Sequence, residues 1–338
     1  MTPTPLRLGI MGTAKVAKFS ILDSLPHVPE VNVLGISARD QSRAQQYADK
    51  FHIPRVYNNY QTMLEDKEID AIYLPLTNAF HYQWLVKSIE AGKHVLCEKP
   101  LVCNAEDGLK IQALLQQNPN VFVTEAFAYR HHPVMRRVAE LVPLLGPIKR
   151  IEASYCMPVV FKSWNVYQYA LAGGAMMDTG VYTVNMARHI AHIAYNGGAD
   201  VEPRVAQAEC LIHKPDKNID RATKAKLMWD CGIEGQIHTS IWSATVLKSS
   251  LKVVGENGYV HVLNPILPQF WHRIISEIQG KKMSEKLHAE STFIYQLRNF
   301  ARDIRAGKAA DISDAIKNMQ VVDAIYQKLG MPLRVSQY

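Results

Sequence analysis

The chain has 338 residues, 48% hydrophobic and 20% charged, the composition of an ordinary globular protein long enough for two domains. No apolar run approaches the ~18 residues of a membrane span, and Met1-Thr2-Pro3-Thr4-Pro5 lacks the basic-then-apolar pattern of a leader. The formal charge of +7 is dispersed rather than blocked, so it suits a phosphorylated small molecule and offers no basic aromatic platform for nucleic acid.

Leu6–Met11 reads as a short buried strand, and Gly12-Thr13-Ala14-Lys15-Val16-Ala17 opens an amphipathic helix to about Leu25. Strands are expected at Val31–Ile36, Ile69–Leu74, His94–Cys97 and Val121–Val123, with helices at Gln41–Phe51, Phe80–Ala91 and Ala105–Gln117. This alternation predicts a parallel sheet with helices on both faces, an α/β arrangement with right-handed crossovers. From about Gly146 the texture changes. Ile148–Met157, Arg204–His213, Thr223–Cys231, Gln236–Ser243 and Ser249–Leu263 are long β-like runs, with helix-like pieces at Met177–Ala194, Ser291–Ala306 and Asp314–Leu329. Such runs predict an α+β half with a mainly antiparallel sheet. Gly255-Glu256-Asn257-Gly258 reads as a hairpin turn. The expected domains are 1–125 and 126–338, with the last helices packing back on the first. Cys97, Cys103, Cys156, Cys210 and Cys231 show no CxxC spacing and read as reduced thiols in a cytoplasmic setting. No HExxH or Cys/His cluster is present, so no metal is expected.

Three stretches carry chemistry. Gly12, Ala14 and Ala17 stand at the three positions of the dinucleotide fingerprint. The first glycine permits the tight turn and the third small residue permits close helix packing, whereas Ala14 replaces the glycine over which a pyrophosphate would lie. At the end of the second strand, where an Asp or Glu normally binds the ribose of NAD, the chain reads Ser37-Ala38-Arg39-Asp40, with Arg43 a turn later. A hydroxyl and guanidinium forks suit a 2′-phosphate, favouring NADP over NAD. Asp40, able to cap the helix or reach the ribose, keeps NAD open. Thr77, Asn78 and His81 follow a strand and would lie over the cofactor crevice, with Asn78 equally placed to cap the next helix. Cys97-Glu98-Lys99-Pro100 sets a lysine on the rim of the sheet.

The order Gly12-x-Ala14-x-x-Ala17, Thr77-Asn78-x-x-His81, Ala91-Gly92-Lys93-His94-Val95-x-Cys97-Glu98-Lys99-Pro100 and Gly173-Gly174-Ala175-Met176-Met177-Asp178-Thr179-Gly180-Val181-Tyr182 resembles the Gfo/Idh/MocA oxidoreductases over residues 5 to 330. Glu125-Ala126-Phe127, with Arg130 and Pro133, resembles the segment after the family's sixth strand. Many members carry a histidine four residues after the aspartate. Tyr182 at that place is similar to the subgroup of dimeric dihydrodiol dehydrogenases, D-xylose dehydrogenases and glucose–fructose oxidoreductase. The resemblance implies a Rossmann domain, a second domain whose large sheet forms a homodimer or homotetramer, and hydride transfer between NADP and a carbinol of a sugar or trans-dihydrodiol. It also implies a cis Lys99–Pro100 bond. Lys99 and Tyr182 are then the proton-handling pair, either of which transfers the proton, and Asp178 orients Lys99 or holds a sugar hydroxyl. Gly12, Thr13, Ala14, Lys15, Ser37, Arg39, Arg43, Thr77, Asn78, His81, Glu98 and Lys99 would hold the cofactor. Arg130, Trp164, Asp178 and Tyr182 would meet substrate, with Asn165, Tyr167 and His131 as further pocket candidates, while His132 begins the next helix. Two alternatives stand beside this: a catalytically silent dinucleotide-binding sensor, and a reductase of a sugar carbonyl or imine.

Overall fold

Six strands, β1 (Leu6–Met11), β2 (Val31–Ser37), β3 (Arg55–Tyr57), β4 (Ala71–Leu74), β5 (His94–Cys97) and β6 (Val123–Glu125), form a wholly parallel sheet in the order β3-β2-β1-β4-β5-β6. That order places a switch point between β1 and β4, where doubly wound sheets bind ligands at the carboxyl ends. The protein is represented by a computed structural model that describes residues 4–160, 165–195 and 201–337; Trp164 lies outside them.

The connecting helices are cut to length by their caps. After β1, α1 (Lys15–Ala17) passes directly into a π-helical turn over Lys18–Leu22, where a regular helix to Leu25 was expected. Within it, Ser20 Oγ sits 2.8 Å from the Val16 carbonyl. Helix α2 (Gln41–Phe51) begins at Asp40, whose carboxylate accepts the Arg43 N–H at 3.1 Å, and stops at His52 in the left-handed region. Asp40 is therefore engaged in capping. The short α3 (Tyr60–Glu65) carries a capping box between Asn59 and Thr62, while α4 (His81–Glu90) follows a 3₁₀ turn over Asn78–Phe80. In α5 (Ala105–Gln117), Asn104 caps the first turn and Glu106 and Asp107 complement the helix dipole. Strand β3 and helix α3, both short, were not anticipated.

The second sheet has eight strands in the order β14-β13-β12-β11-β7-β10-β9-β8. They are β7 (Ile148–Cys156), β8 (Arg204–His213), β9 (Asp216–Met228), β10 (Glu234–Ser240), β11 (Lys248–Gly255), β12 (Gly258–Leu263), β13 (Arg273–Ile278) and β14 (Lys281–Glu285). Every pairing is antiparallel except β7 with β10. The expected hairpin joins β11 to β12, with Gly255 opposite Gly258 and Gly258 at φ +142°. Strands β13 and β14 were not anticipated; β14, Lys281-Lys282-Met283-Ser284-Glu285, is charged and barely alternates. His132 caps α6 (Pro133–Leu141), accepting the Val134 N–H at 3.1 Å. Helix α7 (Val181–Ala194) packs on β7 and β10.

The chain divides into two compact units: Met1–Ala128 with Ser291–Ala315 and Ser336–Tyr338, and Tyr129–Glu290 with Ile316–Val335. The boundary falls three residues beyond the expected one. Of the last two helices, α8 (Thr292–Arg305) joins the first unit, and α9 (Ser313–Lys328) falls mostly in the second. In the first unit Ile294, Leu297, Phe300 and Ala301 of α8 share one core with Leu8, Ile10, Ile21 and Ile36, each large aliphatic side chain contributing about 1.5–3 kcal/mol by leaving water. Among the described residues no helix is long and apolar enough to cross a membrane.

Candidate active site

In the first unit the turn after β1 is built for close approach. Gly12 lies at φ +96° and donates its N–H to the Ser37 carbonyl at 2.6 Å, and a Cβ there would stand 3.0 Å from Leu76 Cδ2. Ala14, the departure from the fingerprint, sits at φ −67°, ψ 141°. That is ordinary extended backbone, so no glycine is demanded by conformation. Thr13 and Ala14 are partly exposed and Lys15 is exposed on the same turn.

The carboxyl end of β2 offers a hydroxyl and a guanidinium. Ser37 is buried and its Oγ has no hydrogen-bond partner among the described residues. An orphaned buried hydroxyl is the kind of group a ligand would complete. The Arg39 guanidinium lies 5.7 Å from the centre of the Phe80 ring, a cation–π contact that limits its wandering. Tyr60 is packed edge-on against Trp84 (4.8 Å, 81°), and burial raises its pKa while the Arg39 charge and backbone N–H oppose the rise. Arg43 is exposed on the first turn of α2. With Asp40 spent on the cap, these residues fit a phosphorylated ribose better than a bare one.

Thr77 precedes the 3₁₀ turn and makes no side-chain cap bond, and Asn78 is the first residue of that turn, so it does not cap α4. Both are partly exposed. His81 corrects the expectation of a cofactor contact. It is fully buried, with Nδ1 2.8 Å from the Pro100 carbonyl and Nε2 2.9 Å from the Leu76 carbonyl. Burial holds its pKa down. The ring thus sits between the loop after β4 and the segment after β5, and as a neutral imidazole it donates its single N–H to one of these two carbonyls.

The Lys99–Pro100 peptide is cis, as the resemblance implies. Lys99 is partly exposed, while Pro100 and Leu101 are buried. Beneath this segment runs a hydrogen-bonded file that the sequence did not disclose. Tyr73 is fully buried in β4. Its hydroxyl lies 2.6 Å from Ser20 Oγ and donates to Glu98 Oε1 at 2.6 Å. Burial raises the Glu98 carboxyl above its ordinary range, and burial beside Glu98 raises Tyr73 well above its own. Glu98, expected at the cofactor, is thereby anchored on its inner side.

In the second unit, Gly173 and Gly174 lead into a π-helical turn over Met176–Gly180 that carries Asp178 and continues as α7, with Tyr182 near its start. The Asp178 N–H reaches the Gly174 carbonyl at 3.0 Å. The turn is docked on β10 by the hydroxyls of Thr179 and Thr239. Tyr182 is wedged between two aromatic rings, Tyr155 of β7 (5.5 Å, 85°) and Tyr129 (6.0 Å, 59°), whose hydroxyl donates to Asn185 Oδ1 of α7 at 2.6 Å. Edge-to-face packing of this kind fixes a ring's plane. Arg130 approaches His189 Nδ1 on the same helix at 3.3 Å. His131 is partly exposed. Asn165 begins a short turn and is exposed. Tyr167 is buried, donates to the Val159 carbonyl at 2.7 Å and stacks on His213, so it belongs to the core and not to a pocket wall.

Under the double glycine lies a fully buried ion pair. Asp220 Oδ2 accepts the Met176 N–H (2.9 Å) and the Thr223 hydroxyl (2.8 Å). Its Oδ1 accepts from the Tyr326 hydroxyl (3.0 Å) and Arg334 Nη2 (3.3 Å). Arg334 Nε donates to the Gly173 carbonyl at 2.7 Å. Arg334, in the tail beyond the last helix, carried no signal in the sequence. Asp220 carried no signal either: it lies between the expected runs Arg204–His213 and Thr223–Cys231, and only the structure extends β9 back to Asp216.

The description "Oxidoreductase family, NAD-binding Rossmann fold" of the Gfo/Idh/MocA group matches residues 6–126, and the family's C-terminal domain matches residues 135–261. D-xylose 1-dehydrogenase (NADP(+)) 2 of Haloferax volcanii is 28% identical over 329 residues, 95% of this chain and 97% of its own length. The dTDP-3,4-didehydro-2,6-dideoxy-alpha-D-glucose 3-reductase of Saccharopolyspora spinosa is 27% identical over 338 residues, 98% of each chain. Among solved structures, KijD10, a 3-ketoreductase from Actinomadura kijaniata in complex with NADP and TDP-benzene, superposes with a TM-score of 0.87 at 25% identity, over 96% of this chain and 98% of its own. With both halves matched in order, the chain belongs to the Gfo/Idh/MocA oxidoreductase family.

Proposed function

We propose that this chain is an NADP-dependent dehydrogenase that moves a hydride between a sugar carbinol, or a trans-dihydrodiol, and the cofactor. The observation that carries the cofactor choice is the end of β2. There a buried, unpartnered Ser37 hydroxyl and the Arg39 guanidinium over Phe80 stand where an acidic residue would select NAD, and Asp40 is withdrawn into the helix cap. Gly12, Thr13, Ala14 and Lys15 would receive the pyrophosphate, Ser37, Arg39 and Arg43 the 2′-phosphate, and Thr77, Asn78, Glu98 and Lys99 the nicotinamide half. When bound, NADP supplies the ring carbon that takes or returns the hydride. Lys99 and Tyr182 hold the substrate hydroxyl, and one of the two removes its proton as the carbinol is oxidised. Asp178 orients Lys99 or takes a neighbouring hydroxyl, and Arg130 and Trp164 would meet the rest of the substrate.

The likeness to a nucleotide-sugar 3-reductase and to KijD10 favours a second reading, the reduction of a ketosugar by NADPH with the same residues returning the proton. One assay separates the readings: initial rates with NADP against D-xylose, D-glucose and a trans-dihydrodiol, and with NADPH against a dTDP-linked 3-ketosugar, for wild type and Lys99→Ala. Turnover that Lys99→Ala abolishes supports the enzyme and identifies the direction. Tight NADP binding with no turnover on any substrate would instead make the chain a silent sensor, and failure to bind dinucleotide would overturn the reading.

The face of the eight-stranded sheet opposite α7 presents Arg150, Glu152, Lys224, Lys226, Gln236 and His238 in register, with Lys226 paired to Glu234 at 3.3 Å and Lys224 to Glu209 at 3.3 Å. We assign this self-complementary mix of charges to a second copy of the chain, and light scattering giving a monomer mass would reject it. The five free thiols support a cytoplasmic setting.

A further inference from the structure

The Gly-Gly turn ahead of Asp178 is clamped on both flanks by one buried network. On the near side, Arg334 Nε holds the Gly173 carbonyl at 2.7 Å. On the far side, Asp220 Oδ2 holds the Met176 N–H at 2.9 Å. The two clamps are joined by the Arg334–Asp220 ion pair, at no solvent exposure on either side chain, and the Tyr326 hydroxyl closes the figure on Asp220 Oδ1 at 3.0 Å. The guanidinium is sandwiched by rings, 4.1 Å from Tyr326 and 5.2 Å from Tyr169, and Tyr169 itself donates to the Leu333 carbonyl at 2.7 Å. Arg334 Nη1 donates to the Pro332 carbonyl at 2.9 Å, so the head group is held from several directions. Gly174 stands at φ +124°, and a Cβ on it would collide with Asp220 Oδ1, Arg334 Nη2 and the Tyr326 hydroxyl. The backbone therefore passes over the ion pair at contact distance, which only glycine allows.

A fully buried ion pair is poor value as a stabiliser, since similar apolar packing does as well or better. Its geometry explains it better than its energy does. It fixes a carbonyl and an amide three residues apart, and the π-helical turn that starts at that amide carries Asp178 and runs straight into α7, where Tyr182 is the second residue. We propose that Asp220, Arg334 and Tyr326 are positioning residues that set the register of the turn carrying Asp178 and of the start of α7 carrying Tyr182, and so the aim of both toward substrate. This rests on the proton-handling role assigned to Tyr182 above.

The test uses Tyr326→Phe, which removes one hydrogen bond and leaves the ring under the guanidinium, with Asp220→Asn as the stronger variant. Hydrogen exchange of the intact protein, followed by mass spectrometry, reads the clamp directly. Tyr326→Phe is expected to speed exchange in the peptide spanning 173–182 by about tenfold and to leave the β1–β2 peptides unchanged. Exchange unchanged in 173–182, or faster everywhere alike, would overturn the clamp. Kinetics with D-xylose and NADP read the consequence. Tyr326→Phe is expected to lower kcat about tenfold with KM for NADP within about twofold, and to lower it much less in a Tyr182→Phe background. The same fold-loss in both backgrounds would mean a general structural effect and overturn the positioning role. If Tyr182→Phe alone retains full activity, the role given to Tyr182 fails, and the exchange result still decides whether the network holds the turn.

Discussion

Ser37 and Arg39 can be weighed against Asp40 only when the hydrogen bonds are known. In the sequence all three compete for the ribose; in the structure Asp40 is occupied by the Arg43 N–H while Ser37 Oγ is left unmatched. Arg39→Ala is therefore expected to raise KM for NADP by about 10- to 100-fold, the worth of a hydrogen bond to a charged group, and to leave NAD kinetics nearly untouched. Equal losses with both cofactors would move the 2′-phosphate site elsewhere. Glu98 yields a pH prediction. Burial raises its carboxyl, and a carboxyl raised by folding contributes its stability fully below the unfolded value of about 4.3 and loses it as pH climbs through the folded value. Glu98→Gln keeps the neutral shape without titrating. Its Tm should gain on wild type as pH rises from about 4 to 8, whereas a difference flat across that range would show that Glu98 ionises like a surface acid. At this scale the tight turn at Gly12 and the capping role open to Asp40 were legible because each is decided locally. His81 and Tyr167 were not, because what holds them, the Pro100 and Val159 carbonyls, is chosen by tertiary packing.

At the scale of elements, the parallel strands read well because each is a short apolar run between helix caps, and Asp40 and Asn104 both cap as their residue types favour. The edge strands β3 and β14 were missed, since an edge needs little apolar patterning to pair, and β13, which lies between β14 and β12, went with its hairpin partner. The π-helical turns after β1 and before α7 were also invisible, each being decided by what the turn docks against. Gly173-Gly174 was visible as a motif, but its cause was not: Arg334 meets the Gly173 carbonyl from 161 positions away. Arg334→Met should strand the buried Asp220 carboxylate and destabilise the fold by about 3–5 kcal/mol, read as a fall in the urea midpoint. A loss below about 1 kcal/mol, the ordinary scale of an exposed pair, would mean that Asp220 is satisfied without its arginine.

At the scale of the molecule, neither unit is one continuous stretch of chain. Helix α8 returns to the first unit and places Ile294, Leu297, Phe300 and Ala301 in a core whose other members lie before residue 127. Leu297 is fully buried, so Leu297→Ala should cost about 2–5 kcal/mol. It should also weaken NADP binding more than it perturbs the second sheet, which titration of cofactor fluorescence and exchange in β7–β10 would compare. The returning helix also matters at the ribosome. A nascent chain ending at Ala128 already carries every strand of the parallel sheet but lacks the helix that covers one flank of its core. At about 5–20 residues per second, α8 follows roughly ten to thirty seconds later. For that interval the apolar surface around Leu8, Ile10 and Ile21 waits open, and the half that is made first is completed only after the second sheet has been synthesised.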